Sequence, residues 1–201
     1  INGTSEFVNQ LAIAITTVVF NRSTLLFAGE DGVAAVSIIM YLQFLCIGIY
    51  FGFSMGLSTP LGYAYGDRNF SVCRVLEKYA YRFFAIAPII LYGCTYLLAP
   101  IGVRFFASPG STVFDMAVSG LRLYGLGFLF SGINIFAAIR MMTYGKGYIS
   151  GMITFLRSFA LLLLFLTVLP RFLELNGIWL AVPATEILTL IVALWTLRKK
   201  L

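Results

Sequence analysis

The chain has 201 residues, of which 60% are hydrophobic and only 11% are charged, and this excludes a soluble globular protein because soluble domains are about a quarter charged. The formal net charge is +6, but the basic residues are scattered between long apolar runs, so nucleic acid is not an expected partner. The sequence contains no histidine, which excludes His-based triads, His metal sites and His proton relays.

Six charge-poor runs predict an all-α, polytopic membrane protein in which residues 1–201 form one six-helix transmembrane bundle. A bilayer crossing needs about 20 apolar residues, and each run reaches that length before a polar cluster interrupts it. The predicted spans are 7–28, 33–65, 79–99, 113–142, 148–169 and 177–197. The second and fourth runs are longer than one crossing, so we expect their ends to project beyond the hydrocarbon.

The basic residues predict the orientation of the six spans, because Lys and Arg are retained in cytoplasmic loops. The face that carries both termini receives nine basic residues, and the opposite face receives three. The nine are Arg68, Arg74, Lys78, Arg82, Arg140, Lys146, Arg198, Lys199 and Lys200, and the three are Arg22, Arg104 and Arg171. We therefore expect a plasma (inner) membrane protein with both termini in the cytoplasm.

Polar side chains follow one face of the first run, within an arc of roughly 120° at about 100° per residue. The members that we assign to a substrate cavity are Glu6, Gln10, Thr17 and Asn21. A polar side chain at membrane depth costs free energy unless it faces packed protein or water. The stripe therefore indicates either the wall of a hydrated substrate cavity or hydrogen bonds between packed helices.

The second run contains Gly48, Gly52 and Gly56 at four-residue spacing, followed by Pro60. Small residues at this spacing allow another helix to approach closely. We expect close packing along this face, and a bend near Pro60 is the alternative.

The fourth run has a small and mildly polar face that contains Tyr124, Ser131 and Asn134. At about 100° per residue, these three side chains lie within about 80° of one another around the helix. They are candidates for the cavity lining. A tightly packed helix pair explains the same pattern.

Arg157 and Glu186 lie in the fifth and sixth runs at similar distances from the cytoplasmic side. At about 1.5 Å per residue their depths differ by only a few ångströms, so the two side chains are expected to pair. The pair is either structural or includes an ion-coupling role for Glu186, with Pro183 one turn earlier loosening the backbone.

Cys46, Cys73 and Cys94 are far apart, odd in number and mostly inside apolar runs, so they predict core residues and neither a disulfide framework nor a metal site. No nucleophile with a base and no cluster of carboxylates accompanies them, and we expect no enzyme activity.

Three ordered segments resemble the MATE (multidrug and toxic compound extrusion) family, specifically the second half of a bacterial member. They are GEDGVAAVSIIMYLQFLCIGIYFGFSMGLSTPLGYAYGDRN, RLYGLGFLFSGINIFAA and NGIWLAVPATE. The resemblance implies a twelve-helix antiporter, built from two six-helix bundles, that exports cationic or amphipathic compounds in exchange for Na⁺ or H⁺. It also implies that the chain is a fragment whose partner is the missing N-terminal bundle, with no cofactor besides the coupling ion.

The resemblance also implies coupling acids that this sequence does not carry. Some members place one acid in the first helix of this bundle and another in the fourth, and the matching positions here are Ile13, Ala14, Ser131 and Asn134. Two alternatives to the exporter therefore stay open: a lipid-linked oligosaccharide flippase of similar bundle design, and a membrane scaffold protein without transport.

Overall fold

The computed structural model describes the backbone of residues 2–198 and the side chains of residues 11–198 except Ile13. The side chains of Glu6 and Gln10 therefore lie outside the described residues. Residues 2–198 form helices and turns without a β-strand, which confirms the all-α prediction. The helices are α1 (Asn2–Gly66), α2 (Phe70–Arg104), α3 (Thr112–Tyr124), α4 (Phe128–Thr143), α5 (Gly147–Phe155), α6 (Leu161–Val168) and α7 (Pro170–Arg198).

Five stretches of the described chain are long and apolar enough to cross a membrane. They are Ala14–Gly66, Phe70–Arg104, Thr112–Thr143, Gly147–Val168 and Pro170–Arg198. The third stretch joins α3 to α4 through a single 3₁₀ turn at Gly125–Gly127, and the fourth joins α5 to α6 through a π-helical segment at Leu156–Ala160. The chain is thus a multi-pass membrane protein.

Gly29 reverses the direction of the chain within α1. Its φ of 62° and ψ of −158° are not helical, and glycine tolerates a positive φ because it has no Cβ. Thr16 and Gln43, on either side of Gly29, line the same cavity. The two parts of α1 are therefore antiparallel neighbours. The predicted runs 7–28 and 33–65 lie on either side of this reversal.

A second tight turn joins α6 to α7, where the sequence predicts a loop at 170–177. The structure keeps most of this segment helical, and only Glu174 departs, with φ 50° and ψ −130°. A Cβ on Gly177 would lie 2.5 Å from the carbonyl carbon of Leu169. Glycine at position 177 therefore allows this part of α7 to pack closely against Leu169 at the end of α6. A kink joins the two helices where the sequence predicts a loop.

The α3–α4 crossing lies at the centre of the bundle, and α4 packs against α1, α2, α5 and α7. Its glycines accept large side chains from the neighbouring helices. A Cβ on Gly120 would lie 2.8 Å from Trp179, and one on Gly132 would lie 2.8 Å from the ring of Phe84. The small face that the sequence shows in this run is therefore packed against aromatic residues along much of its length.

This packing predicts that Gly132→Ala destabilises the protein by about 1–3 kcal/mol, because the added methyl group overpacks the contact with Phe84. Gly151→Ala is the matched control, since nothing lies within 4 Å of a Cβ there and alanine favours a helix by about 1 kcal/mol over glycine. Thermal unfolding in detergent measures both variants. Equal shifts of Tm in the two would contradict the packing described for Gly132.

Candidate functional site

A cavity of about 330 Å³ lies inside the bundle, between the second part of α1, the α3–α4 crossing, the π-helical segment and α7. A second cavity of about 280 Å³ adjoins it and extends to Thr16 and Thr17 in the first part of α1. Gln43, Tyr124, Ser158, Leu162 and Val182 line both. We refer to the two together as the central cavity.

Two crossings lose their regular geometry at the wall of the central cavity, and a proline, which has no N–H to donate, interrupts the hydrogen bonding of a third. The 3₁₀ turn at Gly125–Gly127 contributes Gly127, the π-helical segment contributes Arg157 and Ser158, and α7 contributes Val182 beside Pro183. A Cβ on Gly127 would lie 3.2 Å from Val182, so the glycine lets the 3₁₀ turn approach α7. Irregular backbone is tolerated at membrane depth where it is buried in protein or lines a cavity, and π segments occur frequently at functional sites.

Glu186 is the centre of the polar network. It is buried, and its Oε1 accepts hydrogen bonds from Arg157 Nη2 at 2.6 Å and Nε at 3.1 Å. Its Oε2 accepts a hydrogen bond from Asn134 Nδ2 at 2.7 Å. Asn134 Nδ2 also donates to the backbone carbonyl of Glu186 at 2.9 Å. The predicted pair of Arg157 and Glu186 is thus present, and a neutral amide completes it.

This arrangement fixes the orientation of the Asn134 amide. Both atoms that Nδ2 contacts are acceptors, so a flipped amide would place two oxygens against its own oxygen. Asn134 Oδ1 therefore points elsewhere, and it has no hydrogen-bond partner among the described residues. The same holds for Ser131 Oγ and for Gln43 Oε1, and both of these residues line the cavity.

Unmatched buried oxygens are unusual, because each costs about 1–3 kcal/mol when no donor reaches it. Three of them lie in or beside one cavity that also holds a carboxylate. Hydrogen-bond acceptors are therefore concentrated at and behind the wall of the central cavity.

The structure places the other predicted lining residues unevenly. Tyr124 lines both parts of the central cavity, Ser131 lines the first part, and Thr17 lines the second. Asn134 is fully buried and reaches the site through Glu186 instead. Asn21 is half-buried and is not among the residues that line either part.

Gln43 lines both parts of the cavity but is not among the residues predicted from the sequence. A lone amide in a long apolar run is a recognisable signal. It stands among Leu and Phe in the same run as the regularly spaced glycines, and small residues at that spacing predict helix packing rather than a cavity wall. The sequence does not indicate Ser158 either, because a π segment cannot be read from the spacing of apolar residues.

A second buried ion pair, between Arg140 and Glu77, joins α4 to α2. Tyr144 Oη donates to Glu77 Oε1 at 2.6 Å, and the Arg140 guanidinium lies 5.0 Å from the centre of the Tyr144 ring. Burial and the hydrogen bond to Glu77 raise the pKa of the Tyr144 hydroxyl. The orientation analysis predicts Arg140 among the aqueous loop charges, and this is wrong, because only 2% of the residue is exposed.

The glycine face of α1 is open in the described chain. Nothing lies within 4 Å of a Cβ built on Gly48, Gly52 or Gly56, so the neighbour expected to pack there is not a described part of this chain. Pro60 lies within α1, whose backbone departs from helical geometry only at Gly29.

A family model described as MatE matches residues 7–169. Three solved structures that the chain resembles are transporters, and the likeness at this level of identity concerns the fold. One is described as the outward-facing conformation of a multidrug resistance MATE family transporter of the MOP superfamily, with 22% identity and a TM-score of 0.85, covering 96% of this chain and 44% of that chain. Another is described as the inward-facing conformation of such a transporter, with 21% identity and a TM-score of 0.87, covering 96% of this chain and 45% of that chain.

The third is a MOP superfamily transporter from Pyrococcus furiosus, with 22% identity and a TM-score of 0.86, covering 96% of this chain and 44% of that chain. Its description states that the reverse polarity of its binding pocket suggests a different function. This chain therefore spans less than half the length of these structures. No curated protein matches the chain.

The geometry around Glu186 predicts that Arg157→Leu destabilises the protein by about 3–5 kcal/mol, because it leaves a buried carboxylate without its cation. The double variant Arg157→Leu with Glu186→Gln removes the stranded charge and should recover part of this loss. Thermal unfolding in detergent compares the two. A double variant less stable than Arg157→Leu alone would show that the pair does not behave as a buried ion pair.

Proposed function

The chain belongs to the MatE family, and we propose that it is one six-helix bundle of a secondary-active exporter that moves cationic or amphipathic compounds in exchange for Na⁺ or H⁺. The observation that carries this proposal is the central cavity, with its unmatched acceptors beside the Glu186 carboxylate. The chain spans about 44% of the outward-facing transporter that it matches.

The composition of the cavity wall supports a cationic or amphipathic cargo. Phe51, Phe128, Ile47 and Leu162 provide apolar and aromatic surface, which suits the apolar part of such a molecule and attracts a cation to the ring faces. Ser131 and Gln43 provide oxygens without a protein donor. The positive charge of Arg157 is matched by Glu186, so the wall lacks the surplus of positive charge that an anionic oligosaccharide cargo would favour.

We place ion coupling at Glu186. Its Oε1 is occupied by Arg157 and its Oε2 by Asn134, so a proton or Na⁺ that binds this carboxylate competes with the arginine. Such a competition links ion binding to the π-helical segment, because Arg157 belongs to it. A buried charge pair that exchanges partners is one way for a transporter to bias its conformational equilibrium.

We propose that the second bundle packs on the side of α1 where Gly48, Gly52 and Gly56 are exposed. In this arrangement both termini are cytoplasmic, the protein lies in the inner membrane, and alternating access comes from rocking of the two bundles around the site between them. The similar TM-scores to the outward-facing and inward-facing structures, 0.85 and 0.87, support a bundle that moves as one unit.

Cysteine labelling tests the cavity assignment in the full-length protein after Cys46, Cys73 and Cys94 are replaced by alanine. Ser131→Cys should react with a water-soluble maleimide, and a permeant cation such as tetraphenylphosphonium should slow that reaction several-fold. Leu164→Cys is the control, because Leu164 is an exposed apolar residue of the lipid-facing surface. A Ser131→Cys variant that is as unreactive as the control in every condition would exclude a hydrated cavity.

Glu186→Gln tests the coupling assignment in proteoliposomes with an imposed Na⁺ or H⁺ gradient. We expect gradient-driven efflux to fall at least tenfold while binding of the cationic cargo persists. Glu77→Gln is the matched control, because it neutralises the other buried carboxylate and should lower stability without changing ion dependence. Full gradient-driven efflux by a folded Glu186→Gln protein would show that coupling occurs elsewhere.

A further inference from the structure

Three basic residues form a line along the first turns of α2. Arg74, Lys78 and Arg82 follow one another at four-residue spacing, so at about 100° per residue they lie within about 80° of one another around the helix. All three are exposed. The ion pairs of the described residues involve Arg140 and Arg157 instead. We refer to Arg74, Lys78 and Arg82 as the basic stripe.

Two carboxylates that are close to the basic stripe in the sequence do not compensate its charge. Glu77 is buried and is paired with Arg140. Asp67, in the turn before α2, lines a surface pocket together with Tyr63 of α1, and this pocket meets α2 at Val72. At about 100° per residue, Val72 is about 120° around α2 from Lys78, the centre of the basic stripe. The counter-charge for the stripe must therefore come from outside the described chain.

The basic stripe begins where the hydrocarbon layer ends. Residues 83–103 of α2 carry no charge, and at about 1.5 Å per residue they span about 31 Å, which matches a hydrocarbon core of about 30 Å. Arg82 then lies at the edge of the hydrocarbon, with Lys78 about 6 Å and Arg74 about 12 Å beyond it. The headgroup region adds about 5–8 Å on each side of the core. Arg82 and Lys78 are therefore at the level of the lipid phosphates.

The basic stripe faces away from α1. The ring of Phe83 on α2 stacks on Phe53 of α1, with ring centres 3.8 Å apart, so Phe83 marks the side of α2 that faces α1. Around the helix, Arg82 is about 100°, Lys78 about 140° and Arg74 about 180° from Phe83. The glycine face that we assign to the second bundle is on α1. The stripe is thus on the far side of α2 from that face.

Exposed apolar side chains continue the basic stripe into the hydrocarbon. Ile86 and Ile89 follow Arg82 by four and seven residues, so both lie within about 40° of it around the helix. Ile86 is 59% exposed and Ile89 is 67% exposed. Tyr79, beside Lys78, is 58% exposed, and tyrosine concentrates at the level of the lipid headgroups. One outer face of α2 therefore changes from basic to apolar at Arg82, as a phospholipid changes from headgroup to acyl chain.

We propose that the basic stripe binds an anionic phospholipid, with the phosphate on Lys78 and Arg82 and an acyl chain along Ile86 and Ile89. Charge complementarity identifies the occupant, because the stripe has no carboxylate partner in the described chain and basic clusters next to a membrane-spanning helix attract anionic lipids. Arg74 adds positive charge on the aqueous side of the headgroup. A zwitterionic phospholipid brings its own cation beside the phosphate and gains less from this site.

Native mass spectrometry of the full-length protein tests the site with phosphatidylglycerol and phosphatidylcholine as probes. Wild type should retain phosphatidylglycerol better than phosphatidylcholine. The double variant Lys78→Gln with Arg82→Gln should lower retention of phosphatidylglycerol at least tenfold, since each basic residue near the membrane surface contributes about fivefold. Retention of phosphatidylcholine should not change. Wild-type retention of phosphatidylglycerol by this variant would overturn the proposal.

A second double variant, Arg104→Gln with Arg171→Gln, is the matched control. It removes the same amount of positive charge from two exposed residues away from the basic stripe, one at the far end of α2 and one at the start of α7. Its retention of phosphatidylglycerol should stay close to that of wild type. Equal losses in the two double variants would show that net charge attracts the lipid, and the proposed site would be wrong.

A photoreactive residue tests what covers the apolar part of this face. Benzoylphenylalanine in place of Ile89 should cross-link to phospholipid in membranes that contain the full-length protein. The same residue in place of Met55 is the control, because Met55 is 50% exposed beside Gly56 on α1 and should cross-link to the second bundle. A cross-link from position 89 to protein would overturn the lipid site. None of these readouts depends on efflux, so this proposal can fail while the exporter proposal stands.

Discussion

The burial of the Glu186 carboxylate is the constraint on which the organisation of the central cavity depends. A carboxylate in a low-dielectric interior is tolerated only when charge and hydrogen bonds compensate it. Here Arg157 supplies the charge, and the Asn134 amide supplies the remaining donor. This requirement holds the α4 crossing, the π-helical segment and α7 in one relative position. It also leaves Asn134 Oδ1 without a partner among the described residues.

The backbone irregularities follow from the same arrangement. A regular helix satisfies all of its internal hydrogen bonds and offers only side chains to a cavity. Directly after the 3₁₀ turn at Gly125–Gly127, the Phe128 carbonyl accepts a hydrogen bond from Tyr50 Oη at 2.9 Å. In the π-helical segment, the Ser158 carbonyl accepts one from Thr16 at 3.2 Å. These contacts tie both parts of α1 to the crossings that surround the cavity, so the irregular segments are stabilised by packing on several sides.

The described chain contains two buried ion pairs in different surroundings. Glu186 and Arg157 border a cavity, whereas Glu77, Arg140 and Tyr144 lie among packed side chains, including the ring of Tyr65 at 4.5 Å from that of Tyr144. A charge beside open space can exchange its partner for a ligand, and a fully packed charge cannot do so without unfolding its surroundings. This difference is the reason for assigning coupling to Glu186 and a structural role to Glu77.

The sequence by itself determined the class of the protein and much of its helical organisation, because the length of each apolar run and the polar clusters between runs are local properties. It also determined that Arg157 and Glu186 lie at matching depths, since helix rise converts residue number into distance. Only the tertiary structure decided that Asn134 completes this pair, that Gln43 lines the cavity and that Arg140 is buried against Glu77. Each of these outcomes depends on how the helices are rotated about their axes and on which helices are neighbours. Long-range packing sets both the rotation of each helix and the choice of its neighbours. The spacing of residues along one helix encodes neither.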